Sequence, residues 1–297
     1  HKILLHIDRH DEETTYRRIL RVVKTGNYDL LLPVVDFYAI MFAKHKKQLS
    51  ESTVVYTENW PVFKQASDKL LTMKACMDNN IPCPKTALVD RAEEFDENGW
   101  EYPLVVKPRS GYGAKGFHVV NNRTELLKAF EHVNCNFGSP LIQEYISQTG
   151  IQYQVELMID KNHNCNMFVM MEKKRQFPVD GGSSTFNVTM HNETVKKDVL
   201  RLMSVIGWRG YASLDLIRDP RDGKVKVFEI NPRINSTVKI CYACGIDVGK
   251  LILEDVFSEN MENCLDYPDG VCLRFFHKDI LWFIKSKERW KSNPSFF

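Results

Sequence analysis

The stretch Phe228-Glu229-Ile230-Asn231-Pro232-Arg233 brings together a carboxylate, an amide and a guanidinium at the end of an apolar run that begins at Val225. Side chains at positions i and i+2 of a strand point to the same face. Glu229 and Asn231 therefore share a face, which Arg233 joins if the extended run continues past Pro232. This pattern predicts a strand that carries polar groups to an active site.

A second apolar run, Ala212–Ile217, carries a single carboxylate, Asp215, and the turn-forming residues 219–224 connect it to the first run. The two runs predict a β-hairpin in which Asp215 lies near Glu229 and Asn231. Two carboxylates and an amide are hard oxygen ligands that suit Mg²⁺ or Mn²⁺ bound together with phosphates. From this segment alone, an exposed hairpin with ordinary polar residues is an equal alternative.

The composition is typical of a soluble globular protein with two or three subdomains, since 43% of the 297 residues are hydrophobic and 26% are charged. The net charge of +2 argues neither way, but Lys and Arg are scattered among nearly as many acids, which argues against a nucleic-acid-binding surface. No apolar run approaches the length of a membrane span, and the N-terminus has no signal-peptide pattern. We therefore expect a cytoplasmic protein without a nucleic-acid or membrane partner.

The eight cysteines are dispersed along the chain, and only Cys241 and Cys244 have a CxxC spacing. A zinc site of this kind needs a second such pair. The spacing therefore favours two small residues of a buried helix over a metal site.

Strands and helices alternate in the first part of the chain. We predict a helix that includes residues 19–23, a buried strand over 28–35, an amphipathic helix over 37–49 and a short strand over 53–56. This alternation is typical of a parallel sheet. Because the segment is too short for a complete nucleotide-binding domain, we expect residues before His1 to be absent.

The pattern of the remaining chain predicts further helices and strands. A helix over 67–79 has Ser67 as its N-cap and carries Lys69. The other predicted elements are strands over 86–89, 103–108, 117–120, 140–146, 153–159 and 165–172, and helices from 91, over 124–132, 193–206 and 247–257. The tail, 282–297, is aromatic and basic.

A glycine-rich segment lies between two of these strands. The first strand ends with Lys107 and is followed by Arg109-Ser110-Gly111-Tyr112-Gly113-Ala114-Lys115-Gly116. Glycine lets successive backbone N–H groups turn toward an anion, and a lysine adds a positive charge. The segment predicts a lid over phosphates, with a flexible turn as the alternative.

The order of these motifs resembles the ATP-grasp superfamily, in particular the half-domains of the carbamoyl phosphate synthetase large subunit and related carboxylate–amine ligases. The resemblance runs from about residue 28 to residue 257. The spacing of Asp215 and Glu229 also matches the spacing of the first two metal ligands in the synthetase. It implies an α/β (α+β) protein with an ATP-grasp fold and a partial N-terminal parallel α/β subdomain. The implied division is 1–66 for that subdomain and 67–297 for the ATP-grasp domain, with a small lid subdomain over 85–142 and an ATP- and metal-binding subdomain over 143–297.

The resemblance also implies a set of nucleotide-binding residues. Lys69 and Lys107 match the basic residues that hold the α- and β-phosphates of ATP, and 110–116 matches the lid, including Ser110, Gly111, Gly113 and Gly116. Gln143, Glu144, Tyr145 and Ile146 match the hinge, where backbone groups of Glu144 and Ile146 read the adenine edge. Gln152 falls at the ribose position, where relatives carry a glutamate. Whether Gln152 or the nearby Glu156 contacts the ribose is left open.

Asp215, Glu229 and Asn231 match the positions that hold Mg²⁺ or Mn²⁺, and Arg233 matches an arginine near the transferred phosphoryl group. Lys173, Arg175 and the segment 180–183 fall where relatives bind the substrate carboxylate or the acyl phosphate. The resemblance thus implies an ATP-dependent ligase that activates a small-molecule carboxylate as an acyl phosphate and joins it to an amine.

Two other functions remain open at this point. The first is a binding module that senses nucleotide without turnover, and the second is an enzyme that phosphorylates a carbamate or carboxylate. The sequence does not identify the two substrates, and it leaves open whether the protein is a homodimer.

Overall fold

The computed structural model describes residues 5, 7–8, 11–111, 115–147, 151–179, 181–258 and 260–297. The helices are α1 (Glu12–Gly26), α2 (Asp36–Lys44), α3 (Lys46–Leu49), α4 (Trp60–Ser67), α5 (Lys69–Asp78), α6 (Arg123–Phe137), α7 (Glu193–Ile206), α8 (Lys239–Ala243), α9 (Val248–Phe257) and α10 (Phe276–Lys285). The strands are β1 (Leu30–Leu31), β2 (Val54–Val55), β3 (Thr86–Ala87), β4 (Leu104–Pro108), β5 (His118–Val120), β6 (Pro140–Glu144), β7 (Gln152–Ile159), β8 (Cys165–Phe177), β9 (Ser183–Met190), β10 (Gly210–Arg218), β11 (Val225–Asn231) and β12 (Cys272–Arg274).

The strands form three sheets. The largest has six antiparallel strands in the order β11-β10-β7-β8-β9-β12, and the second has four antiparallel strands in the order β3-β6-β4-β5. Strands β1 and β2 pair in parallel, which confirms the parallel pairing predicted for the first part of the chain. The mixed α/β class is confirmed, while the division into domains stays a prediction.

The six-stranded sheet is covered on both faces, which explains why its strands are nearly continuous apolar runs. All residues of β7 are buried. Val155 and Leu157 pack with α4, α5 and α7 in one core cluster, whereas the neighbouring Met158 packs with α8 and α9 in another. The four-stranded sheet rests on α6, and residues of α1 and α2 form a separate core with Val55. None of the helices in the described ranges is long and apolar enough to cross a membrane.

Several local predictions need correction. The predicted N-cap, Ser67, is the last residue of α4, and the side chain of Asp68 caps α5 by accepting hydrogen bonds from the backbone of Leu70 at 3.0 Å and Leu71 at 3.4 Å. Asp68 can do so because its carboxylate satisfies donors that a helix start leaves unpaired. The helix predicted from residue 91 is a single 3₁₀ turn, Ala92–Glu94. Cys241 lies buried on α8, as predicted, and Cys244 follows that helix.

Candidate functional site

A cavity of about 790 Å³ lies between the four-stranded and six-stranded sheets. Strands β4 and β6 line one side, and β7, β8, β10 and β11 line the other. The predicted site residues that line it are Lys69, Lys107, Ser110, Gly111, Gln143, Glu144, Ile146, Gln152, Lys173, Asp215, Glu229, Asn231 and Arg233. Gly113 lies outside the described residues, as does Asp180 of the predicted substrate segment.

The three predicted metal ligands meet on two paired strands. Asp215 on β10 lies directly opposite Glu229 on β11, next to a β-bulge at 215–216. The amide nitrogen of Asn231 donates a hydrogen bond to the Asp215 carboxylate at 3.0 Å. Strand β11 ends at Asn231, so the extended run does not continue to Arg233, although Arg233 still lines the cavity. The hairpin predicted from the sequence thus places two carboxylates and an amide together.

Each of the two carboxylates has a lysine partner. The Lys173 ammonium forms a short ion pair with Asp215, and Lys69 Nζ lies 3.0 Å from Glu229 Oε1. Only 9% of the Lys173 side chain and 12% of the Lys69 side chain are exposed. Because water is largely excluded, these charges interact more strongly than a surface pair does.

The beginning of α5 holds the base of the glycine-rich segment. The backbone nitrogen of Lys69 donates to the Arg109 carbonyl at 2.9 Å, and Lys69 Nζ donates to the Gly111 carbonyl at 3.1 Å. The helix cap Asp68 also pairs with the Arg109 guanidinium, with Nη2 at 2.8 Å from the carboxylate. Lys69 therefore connects the segment predicted as a lid to Glu229.

Lys107 reaches the cavity from β4. Its Nζ lies 5.8 Å from the centre of the Phe228 ring, on the strand that carries Glu229. Burial, with a smaller contribution from the positive charge of Lys69, lowers the pKa of Lys107 to about 8, while the negative charge of Glu229 opposes the shift. The site therefore holds a buried lysine whose charged form is disfavoured by its surroundings, although Glu229 partly compensates for the burial.

The predicted hinge follows β6, and its glutamate has a structural role. The Glu144 carboxylate accepts hydrogen bonds from the Lys85 backbone at 2.9 Å, from Lys226 at 3.0 Å and from Arg221 at 2.7 Å. Burial raises the pKa of Glu144, but these hydrogen bonds outweigh burial and lower it. The side chain thus links β6 to the turn between β10 and β11. The role of the hinge backbone in reading adenine stays a prediction.

Burial distinguishes Gln152 from Glu156, the two residues considered for contact with the ribose. Gln152 lines the cavity, whereas Glu156 does not and is fully buried. Glu156 accepts hydrogen bonds from the Tyr211 hydroxyl, from Thr237 Oγ1 at 2.5 Å and from Ser213 Oγ at 3.4 Å. Burial raises the pKa of Glu156 to about 7, against the effect of these hydroxyl groups. Glu156 therefore supports the core beneath the site and does not face a ligand.

The substrate-contacting role predicted for Arg175 is wrong. Strand β8 extends past both Lys173 and Arg175, and a bulge between them turns the two side chains to different surroundings. Only 1% of the Arg175 side chain is exposed, and its Nε and Nη2 pair with the Asp279 carboxylate at 2.8 and 2.9 Å. Arg175 therefore fastens α10 to the sheet, while Lys173 faces the cavity.

Two other predicted residues do not line the cavity. Gly116 has a φ of +72°, and a Cβ at this position would lie 2.8 Å from Phe137 and 2.9 Å from Pro108. It is therefore needed for the turn into β5. Tyr145 follows β6 and is half-buried without contributing to the cavity wall.

Some residues that the fold brings to the site were not predicted from the sequence. Asp36, the first residue of α2, holds the Arg233 guanidinium through two contacts of 2.7 Å. Phe275 and Lys278 reach the cavity from the start of α10. The basic, aromatic tail was the single sequence signal near Phe275 and Lys278, and no local pattern pointed to Asp36.

Comparisons with known proteins agree with this geometry. The chain is 25% identical over 246 residues to a D-aspartate ligase of Enterococcus faecium, a match that covers 76% of the chain and 58% of that relative's length. Among solved structures, the biotin carboxylase of Campylobacter jejuni superposes with a TM-score of 0.71 at 15% identity, covering 83% of this chain and 58% of that one. The L-amino acid ligase of Bacillus licheniformis superposes with a TM-score of 0.65 at 20% identity, covering 83% and 61%.

The family model that describes the ATP-grasp domain matches residues 66–237. This range includes α5, the glycine-rich segment, the predicted hinge and the hairpin with Asp215, Glu229 and Asn231, which supply most of the residues that line the cavity. The chain belongs to the ATP-grasp family.

Proposed function

We propose that the chain carries out the ATP-dependent ligation of a carboxylate to an amine. A carboxylate oxygen attacks the γ-phosphorus of ATP, and ADP leaves. The amine then attacks the acyl carbon of the resulting acyl phosphate, inorganic phosphate leaves, the nitrogen loses a proton, and an amide or peptide-like bond remains. The observation that carries this proposal is the arrangement of Asp215, Glu229, Asn231, Lys69 and Lys107 around one cavity.

The similarity to a D-aspartate ligase and to the fold of an L-amino acid ligase supports a ligase rather than a nucleotide sensor. The chain spans 58% of the D-aspartate ligase sequence, so the reaction of the complete relative is carried over as a proposal. We place the substrates among small carboxylates and amines.

The residues on β10 and β11 fit a divalent cation. Asp215, Glu229 and Asn231 supply oxygen atoms only, which suits Mg²⁺ or Mn²⁺. The three residues would hold the ion together with substrate phosphates, which is the usual way in which proteins bind Mg²⁺. When bound, the ion would neutralise charge on the phosphate oxygens.

The cations of the cavity have complementary tasks in this proposal. Lys69 and Lys107 would hold the α- and β-phosphates, and Arg233 would stabilise charge on the transferred phosphoryl group. The carboxylate and ATP are both anions, so their approach needs these positive charges. Asp36 would keep the Arg233 guanidinium in a fixed orientation through its two contacts of 2.7 Å.

The carboxylate substrate would lie at the end of the cavity near Lys173. Ser183, Ser184 and Phe275 also line the cavity, which thus offers hydroxyl groups and an aromatic surface in addition to the lysine ammonium. The glycine-rich segment would cover the phosphates and keep water from the acyl phosphate, whose hydrolysis would consume ATP without product.

The experiment is a measurement of phosphate release from ATP and Mg²⁺ with pools of amino acids and small carboxylic acids. We expect release that depends on a carboxylate and an amine together, with a new amide detected by mass spectrometry. Release that needs a carboxylate but no amine would favour the carboxylate-phosphorylating alternative. Nucleotide binding without release in any pool would contradict the ligase and favour the sensor.

A further inference from the structure

A second, smaller cavity of about 250 Å³ lies behind the wall of the main one. Its lining comes from the ends of β1 and β2, the beginning of β10, the segment after β11 and the end of α9. Apolar side chains, including Leu32, Val55 and Trp208, form part of the wall. The volume suits a small metabolite and is too small for a nucleotide.

One buried hydroxyl group in this cavity lacks a partner. The Thr57 hydroxyl is buried and has no hydrogen-bond partner in the part of the chain that the structure describes, whereas the buried Tyr56 hydroxyl lies beside the Asp255 carboxylate. A buried hydroxyl group without a partner costs free energy, so native proteins usually provide one. Burial raises the pKa of Tyr56, and the negative charge of Asp255 and the hydrogen bond to its carboxylate add to the shift.

Lys46 adds a positive charge to the same cavity. Its Nζ donates to the Thr57 carbonyl at 2.5 Å, and it forms no ion pair with a carboxylate of the described residues. The nearby Glu58 is already engaged by Arg209, with Nε at 2.8 Å from Oε1. Burial lowers the pKa of Lys46, with Glu58 opposing the shift and Arg209 adding to it. The two carboxylates that line the cavity have partners of their own, since Glu58 pairs with Arg209 and Asp255 accepts a hydrogen bond from the Lys161 backbone. The cavity thus offers Lys46 and the Thr57 hydroxyl to a negatively charged group.

The two cavities share a wall. Residues 32–33 line the small cavity and residues 34–36 line the main one, while Arg233 lines both. The Asp36–Arg233 ion pair joins the two segments of this wall. A molecule in the small cavity therefore contacts the same segments that position Arg233.

We propose that this cavity is a second ligand site, which binds a small molecule through a carboxylate or phosphate group held by Lys46 and Thr57. Its apolar wall would pack against the body of the ligand, and the site would be separate from the nucleotide-binding cavity. A ligand there would stabilise the wall that holds Asp36 and Arg233.

The test is a titration of the isotopically labelled protein with inorganic phosphate and, separately, with acetate, at constant ionic strength. The amide resonance of Gly210, which lines the small cavity, reports on that cavity, and the amide resonance of Gly111 reports on the main one. We expect a saturable shift of the Gly210 resonance with phosphate, with acetate or with both, and the responding anion identifies the class of the ligand.

Variants separate the two cavities. We expect Lys46→Met to weaken the binding seen at Gly210 by at least tenfold, and Lys47→Met, an exposed lysine on the same helix, to leave it unchanged. Should Lys46→Met fail to fold, Thr57→Val provides a second test, because valine is nearly the same size as threonine but lacks the hydroxyl group. Lys107→Met should affect the response at Gly111 alone, so failure of nucleotide binding and failure of this site are distinguishable.

A Gly210 resonance that responds to neither anion would overturn the proposal, as would an equal response in wild type and Lys46→Met.

Discussion

Replacing Lys107 by methionine tests the phosphate-binding role of the buried lysine on β4. Methionine is similarly long and unbranched but carries no charge. A charge-assisted hydrogen bond is worth roughly 1.5 to 3 kcal/mol, so the dissociation constant for ATP should rise at least about tenfold. The structure supports a large effect because burial lowers the pKa of Lys107 to about 8, which shows that its charge is poorly solvated before an anion binds.

The lowered pKa of Lys107 also predicts how nucleotide affinity and the stability of the protein depend on pH. Below pH 8 Lys107 is charged and ATP binding is favoured, whereas above pH 8 affinity should fall by up to about tenfold per pH unit as the lysine loses its proton. The pKa in the folded protein lies below the ordinary lysine value of 10.5, so the unfolded chain binds more protons between these two pH values. Without nucleotide, the stability of wild type should therefore rise relative to Lys107→Met between pH 8 and 10.5.

Both effects are measurable by calorimetric titration with a non-hydrolysable ATP analogue at several pH values and by urea unfolding. Lys128→Met, at an exposed position on α6, is the matched control and should behave as wild type. Unchanged nucleotide affinity in a folded Lys107→Met protein would refute the phosphate-binding role. If nucleotide affinity still falls above pH 8 in Lys107→Met, a group other than Lys107 titrates there.

Glu229→Gln removes one negative charge from the proposed metal site, so ATP turnover should fall at least about 10²-fold, roughly 2.7 kcal/mol in activation free energy. A wild-type rate in a turnover assay would contradict the metal role. Asp279→Asn leaves the buried Arg175 guanidinium without its full charge partner. We expect a loss of about 3 kcal/mol or more in urea unfolding, and a change below 1 kcal/mol would argue against this role. Gly116→Ala places a Cβ at φ +72° against Phe137, so the melting temperature should drop by several degrees. An unchanged melting temperature would show that the turn adjusts.

Much of the fold and the central part of the site could be predicted from local patterns. The hairpin of Asp215, Glu229 and Asn231 followed from two apolar runs, a turn between them and the two-residue period of a strand. Lys107 could be predicted as a site residue because a charge at the end of an apolar strand is uncommon without a function. Such signals lie within a few residues of each other, so no knowledge of distant contacts is needed.

Other features depended on contacts that the sequence pattern does not record. The predicted role of Arg175 failed because a bulge after Lys173 changes the direction of the side chain, and its partner Asp279 lies far along the chain on α10. The ion pair between Asp36 and Arg233 joins residues 197 positions apart. Neither pairing leaves a local signature.

The sequence by itself determined the order of strands, helices and glycine-rich loop, because periodicity and turn chemistry act over short stretches of chain. Only the tertiary structure decided which charges neutralise each other, since that depends on distance and burial in three dimensions. It paired Lys173 with Asp215 and Lys69 with Glu229, and it buried Glu156 beneath the site. Packing between the sheets also formed the two cavities, which no local stretch of sequence encodes.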